Sequence, residues 1–528
     1  MKKLATSLLM GLATINIGVQ ADTSRPRLVV GIVVDQLRTD YIEYLQNYFG
    51  ERGFKTLLDQ SVYMRDVDYR ASRLDATSAT AVLQTGAYPA YTGVPASTVF
   101  DHESPGNQTR LPLVSTKSSS ITNDSFTPEA LRLSTLSDEF VIDASGNASV
   151  YSVAIDPQQA IILAGHAGKG AFWINNTSGN WATTSYYGTL PGTLASRNVR
   201  SSLSQRIDTM VWKPTGSLSR VEGLPERKRS KPFKYTFSRQ DRDVFKKFAA
   251  TPLANTEVTD VAIELISSLN LGTKPGETDM LNIAYSLAPV NHGPDDAGRA
   301  ELTDAYLRLD AQIGRLIDAI DRRVGRNNSV IWLASTGYFD DALPTDERYR
   351  LPSGEFSARR ARSLLNSYLS ARFGSGSYIS AIRDGQVFFD TQSLENMRVD
   401  TDRVIDDARE FLVKMSGVDD AKTISEILSP RNDEENALRL SLDPRYCGEI
   451  IVNFTPGWTV NYDEQTPPQQ KVQRQNAVLT PAFILAPGIA ARKIETTVEA
   501  AALAPTVAGI LHIRSPNGAR AHAVSTSR

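Results

Sequence analysis

LVVGIVVDQLRTDY, residues 28–41, holds seven apolar or glycine residues in a row before its first charge, Asp35. A short, β-branched run without alternation reads as a strand buried on both faces, the pattern of a parallel strand covered by helices on either side. Asp35 then stands at the strand's C-terminal end, the edge at which open α/β sheets hold ligands and metals. Asp is also an ordinary helix-capping residue, and from this stretch alone both roles stay open for Asp35.

Upstream, residues 1–21 have the form of a secretory signal: Lys2 and Lys3, an apolar stretch from Leu4 to Gly18, and small residues before a cut near Ala21. The apolar part is short for a membrane span and no later stretch reaches that length, so a periplasmic or secreted protein without a membrane span is expected. Cys447 is the one cysteine, which excludes an intramolecular disulfide. Removing Lys2 and Lys3 takes the 57 basic residues to 55 against 59 acidic ones, a net charge of −4. That balance points away from nucleic acid as a partner.

Downstream, RLDATSATAVLQTGAYPAYTG (residues 73–93) places hydroxyl residues ahead of a helix that Gly86 and Pro89 stop. Such an elbow can bind an anion or supply a nucleophile, and its Ser and Thr can equally be caps. SVYSVAIDPQQAIILAGH (149–166) reads as a pair of apolar strands, and further buried strands are expected at Met280–Ser286, Ser329–Ala334 and Ala482–Leu485. Leu302, Tyr306, Leu309, Ile313, Leu316 and Ile320 recur at three- and four-residue steps, which predicts a long amphipathic helix. Strands alternating with helices predict an α/β fold, a mainly parallel sheet sandwiched between helices. With 41% hydrophobic residues the chain is long enough for one large domain over 22–528. Insertions at about 168–250 and 338–440 are expected to form a cap.

The opening strand, TGAYPAYTG, IILAGHAGKGAFW (161–173), TPLANTEVTD (251–260), Pro456-Gly457-Trp458 and the APT…PNG pair between Ala504 and Gly518 together resemble the phosphate-irrepressible alkaline phosphatases. These are exported bacterial members of the alkaline phosphatase superfamily, similar also to type I phosphodiesterases and nucleotide pyrophosphatases. The resemblance runs in order along nearly the whole mature chain. It implies the family's fold and its chemistry, two zinc ions that flank a threonine nucleophile during phosphate monoester hydrolysis.

Carried over position by position, that resemblance puts the first metal ligand at Asp35 and the nucleophile, nine residues before Thr85, at Ala76, whose methyl group cannot attack phosphorus. Thr77 is the adjacent hydroxyl. The Asp-x-x-x-His pair of the family falls on Ala288 and His292, its Asp-His turn on Ser335 and Thr336, and its last His near Gln470. The Lys-x-Arg and Asn that clamp phosphate fall on Asp156, Gln158 and about Ser97, so a carboxylate stands where an ammonium is expected, which would repel a phosphoryl dianion. Asp35 and His292 remain as a vestigial pair, fewer than the three or four ligands zinc takes. Asp340 and Asp341 lie just past the missing turn and are the nearest substitutes. His102, His166, His512 and His522 are read as structural or surface histidines.

These losses predict an exported, catalytically inactive protein with the phosphatase scaffold, without a cofactor, binding an unknown protein or small molecule. The alternative is a zinc-dependent phosphoric ester hydrolase with rearranged ligands. A further possibility is a neutral or cationic ligand held among Asp35, Asp75 and Asp156.

Overall fold

The computed structural model describes residues 25–526 apart from 102–107, 116, 119–120, 222–231, 275, 288–297, 338–353, 456–457 and 463–477. The signal segment, His102, Ala288, His292, Asp340, Asp341 and Gln470 lie outside the described residues. The strand at the centre of the molecule is Leu28–Asp35, buried along its length up to Asp35. Parallel neighbours flank it on both sides, Asp279–Ser286 with Asp35 opposite Ser286, and Ser329–Ser335 with Val34 opposite Ser335.

Among the described residues nine strands make up this sheet, in the order Arg492–Ile494, Val62–Met64, Ala482–Leu485, Ser329–Ser335, Leu28–Asp35, Asp279–Ser286, Ser149–Ala154, Gly170–Ile174, Trp181–Ala182. The sheet is mainly parallel, with Ala482–Leu485 antiparallel to both its neighbours and Trp181–Ala182 antiparallel at the edge. The edge pairs Gly170–Ile174 and Trp181–Ala182 show that residues up to 182 belong to the main sheet.

Successive side chains of a strand point to opposite faces, so the central strand feeds two cores. Leu28, Val30, Ile32 and Val34 pack with Tyr306, Leu309, Ile313, Leu316 and Ile320 of the long helix Gly298–Arg323. Val29 and Val33 face the other way, toward the helices Ala76–Thr85, Pro157–Ala164 and Leu503–Leu511. Gly31 is the one position of the strand without a side chain. A Cβ there would stand 2.7 Å from the ring of Trp332, its register partner on one side, and would collide with Asn282, its partner on the other.

The expected strand pair over 149–166 is instead a strand followed by a helix. Ser149–Ala154 joins the sheet, and Pro157–Ala164 is helical. Asp156 caps that helix by accepting from the backbone N–H groups of Gln158 and Gln159, and Pro157 occupies the first helical position, where its missing N–H costs nothing. The run Ile161-Ile162-Leu163 is apolar because the helix is buried all round.

Residues 354–461 carry a second, smaller body. Among its described residues a four-stranded sheet runs in the order Ile379–Arg383, Gln386–Phe389, Ile450–Phe454, Val418–Thr423, beside the parallel pair Gly354–Ser357 and Trp458–Asn461, backed by the helices Ala358–Phe373 and Thr401–Leu412 with a hydrophobic core of their own. Arg73 fastens this body to the main scaffold. Its guanidinium donates to the carbonyls of Asp384 (3.1 Å) and Val452 (2.9 Å) and to Asn453 Oδ1 (3.2 Å), and its backbone N–H donates to Ser441 Oγ. Two residues after Arg73 comes the cap of the helix Ala76–Thr85.

Candidate functional site

The C-terminal edge of the sheet gathers chain segments far apart in sequence. Asp35 ends the central strand, and Thr336, just past the neighbouring strand, donates its hydroxyl to Asp35 Oδ1 at 2.7 Å. The backbone turns sharply here. Gln36 takes a left-handed conformation (φ 60°) that costs a residue with a side chain about 1 to 2 kcal/mol, and its N–H points at Thr336 Oγ1 (3.4 Å). Ser335 is held from two sides, its hydroxyl accepting from the N–H of Gly337 and its carbonyl accepting from the Tyr69 hydroxyl at 2.6 Å.

Two helices aim their N-termini at the same edge. Asp75 caps the helix Ala76–Thr85 through a capping box with Ser78, and its second oxygen accepts from the Ser97 N–H at 2.6 Å. Ala76 is therefore the first residue of that helix, and Thr77, the second, is buried with 3% of its surface exposed. Asp156 caps the helix Pro157–Ala164, and the Gln158 amide donates to the Ser97 carbonyl at 2.9 Å. One helical step on, Gln159 donates to Thr80 Oγ1 and ties the two helices together. Asp35, Ala76, Ser97, Asp156, Gln158, Ser335 and Thr336 thus share one neighbourhood.

The electrostatics of that neighbourhood are negative. Burial pushes the Asp35 carboxyl up from its ordinary range to about 6; the Thr336 hydrogen bond opposes this, and Asp75 and Asp156 reinforce it by repulsion. Asp156 is likewise raised, first by burial, with its two helix amides opposing and Asp75 adding. Among the described residues no group of three or more His, Cys, Asp or Glu side chains is placed to hold a metal ion. The donor chemistry explains why: oxygens of Asp75 and Asp156 are engaged by helix amides, and Thr336 supplies Asp35 with a hydrogen where a metal cage would need another ligand. Of the positions that the resemblance assigns to zinc ligands, Asp35, Ser335 and Thr336 are described, and of these Asp35 alone carries a carboxylate.

Two contacts at this edge, and Tyr69 itself, carried no sequence signal. Thr336 reaches Asp35 across 301 residues of chain, and Tyr69 reaches Ser335 across 266. Asp75, read from the sequence with Asp35 and Asp156 as a possible ligand site, is the cap of its helix, a role the sequence reading gave to Ser and Thr. The histidines within the described residues serve elsewhere. His166 is hydrogen-bonded to Asp138 (2.9 Å) and the Leu131 carbonyl (3.1 Å), His512 ends a helix in a left-handed conformation, and His522 is exposed.

Residues 29–478 match the type I phosphodiesterase / nucleotide pyrophosphatase family. The chain is similar to alkaline phosphatase PafA of Elizabethkingia meningoseptica, with 26% identity over 94% of this chain and 93% of that one. It is similar to alkaline phosphatase PhoV of Synechococcus elongatus, with 25% identity over 94% and 92% of the two chains. The crystal structure of wild-type PafA superposes with a TM-score of 0.81 at 24% identity, over 95% of this chain and 98% of that one, so the fold is that of an alkaline phosphatase.

Proposed function

This chain belongs to the type I phosphodiesterase / nucleotide pyrophosphatase family, and from that premise we propose that it is an exported, non-hydrolytic member which uses the scaffold for binding. The observation that carries the reading is Ala76. The residue at the N-terminus of the elbow helix, where the family resemblance puts a nucleophile, has no atom that can attack phosphorus. The surroundings support it. Thr336 and Ser335 stand where an Asp-His turn is expected and are spent on hydrogen bonds to Asp35 and to the local turn. Asp156 stands where the phosphate clamp has a cation, and a carboxylate there disfavours a dianionic substrate. Relief of repulsion among clustered carboxylates that no longer neutralise a metal gives a physical reason for such replacements. Export rests on the signal-like residues 1–21 and on the absence, among the described residues, of a helix long and apolar enough to cross a membrane.

A second reading is favoured by the names of the relatives, alkaline phosphatases that align over more than nine-tenths of this chain. In it the protein is a metal-dependent phosphoric ester hydrolase with displaced ligands, Asp35 and His292 being completed by other residues and Thr77 replacing the nucleophile. One experiment separates the two. Protein prepared in zinc-supplemented medium is analysed for bound metal and assayed with an aryl phosphate. The first reading expects sub-stoichiometric zinc and no turnover above a blank. Stoichiometric zinc together with turnover that Asp35→Ala abolishes establishes the second.

A further inference from the structure

We propose that the acidic edge formed by Asp35, Asp75, Ser97 and Asp156 receives the ammonium group of a small organic cation, in place of the phosphoryl group that the scaffold is built around. The proposal rests on the non-hydrolytic reading above and names the ligand class of that same site.

Three observations support it. First, among the described residues the neighbouring charges are of one sign: Asp75 and Asp156 act on Asp35, and Asp75 acts on Asp156. The residues Asp35, Asp75, Ser97 and Asp156 are each half-buried. Second, among the described residues no group of three or more His, Cys, Asp or Glu side chains is placed to hold a metal ion, whereas an ammonium carries three N–H donors that need not be met by a closed cage of such ligands.

Third, Gln158 offers a further acceptor. Its backbone N–H donates to Asp156 Oδ1, and its amide donates to the carbonyl of Ser97, whose own N–H donates to Asp75. The side chain is therefore fixed between the two capping carboxylates, with 2% of the residue exposed, and its Oε1 has no hydrogen-bond partner. Gln36 Oε1, next to Asp35, is also buried without a partner. A buried polar atom without a partner is costly, and here the unfilled valences are all acceptors. Their complement is a donor that brings positive charge.

The test is calorimetric titration of the mature protein at low ionic strength with spermidine and, separately, with glucosamine and inorganic phosphate. Saturable binding of at least one of the two amines is expected, with Asp75→Asn and Asp156→Asn each weakening it about tenfold, the order of one carboxylate–ammonium attraction across several ångströms. Asn keeps a side-chain oxygen for the helix amide, so both variants retain their caps, which circular dichroism and thermal midpoints verify. The absence of saturable binding by both amines, or binding that the two variants leave unchanged, overturns the proposal. Saturable phosphate binding with hydrolysis of an aryl phosphate overturns the non-hydrolytic reading instead, so the two failures are told apart.

Discussion

Asp35 is held by few groups, and each can be removed singly. Thr336→Val keeps the shape of the side chain and deletes the hydroxyl that donates to Asp35. The expected cost is about 1–3 kcal/mol, the range for a buried partner left unsatisfied, read from urea unfolding of the pair of proteins. The same change is expected to raise the Asp35 pKa further, because the lost bond favoured the ionised form; a carboxyl NMR titration that places it lower contradicts this account. His166 gives a pH-dependent case. Both ring nitrogens lie within hydrogen-bonding distance of acceptors, and Asp138 raises its pKa above the ordinary value. A histidine with a raised folded-state pKa stabilises fully below its unfolded value, and the contribution is lost as pH rises through the folded value. Wild type should therefore exceed His166→Ala in unfolding free energy by more at about pH 6 than at about pH 9, given the reference pKa of roughly 6.5. A gap that is the same at both pH values would remove His166 as a charged partner.

Among the elements, the central strand shows what the sequence carries and what it leaves out. LVVGIVVD was legible because a strand buried on both faces has to be apolar throughout, and its structure spans those same eight residues. The run IILA misled for the same reason. A helix buried all round loses its 3.6-residue period, and the start signal Asp156-Pro157 was the one feature that distinguished it from a strand. At the site, Asp35 could be named from its place at the end of an apolar strand, and Ala76, Ser97 and Asp156 from the family resemblance. The contacts that join them could not, since Thr336 and Tyr69 meet their partners across hundreds of residues and no local pattern encodes such pairing. Gly31 belongs to this scale. Gly31→Ala would press a methyl group between Asn282 and Trp332 in the two flanking strands. A loss of roughly 1–3 kcal/mol or more is expected from overpacking, measured by chemical unfolding; a neutral result would mean that the three strands can separate at no cost.

For the molecule as a whole, one link between scaffold and inserted body, beside those of Arg110 to Tyr446 and Arg132 to Asp443, runs through Arg73, whose side chain ends on two carbonyls and one amide oxygen of the insertion. Hydrogen bonds from a charged donor are worth about 1.5–3 kcal/mol each when buried, and here they act on the junction rather than on either core. Arg73→Ala is expected to speed hydrogen exchange in 379–389 and 450–454 while leaving 28–35 protected. Equal acceleration of both regions would show that the insertion and the scaffold unfold as one unit. Because Arg73 lies two residues before Asp75, loosening this junction should also broaden the position of the helix cap at the acidic edge.

The place of Ala482–Leu485 in the sheet, inserted between Val62–Met64 and Ser329–Ser335, governs the birth of the protein. A chain made N-terminus first has its early strands waiting with bare hydrogen-bonding edges until this late segment emerges, and bare edges pair readily with neighbouring molecules. Cells that make the protein must therefore shield a long, sticky intermediate, and shortening the chain ahead of residue 482 should give aggregates instead of a smaller folded product.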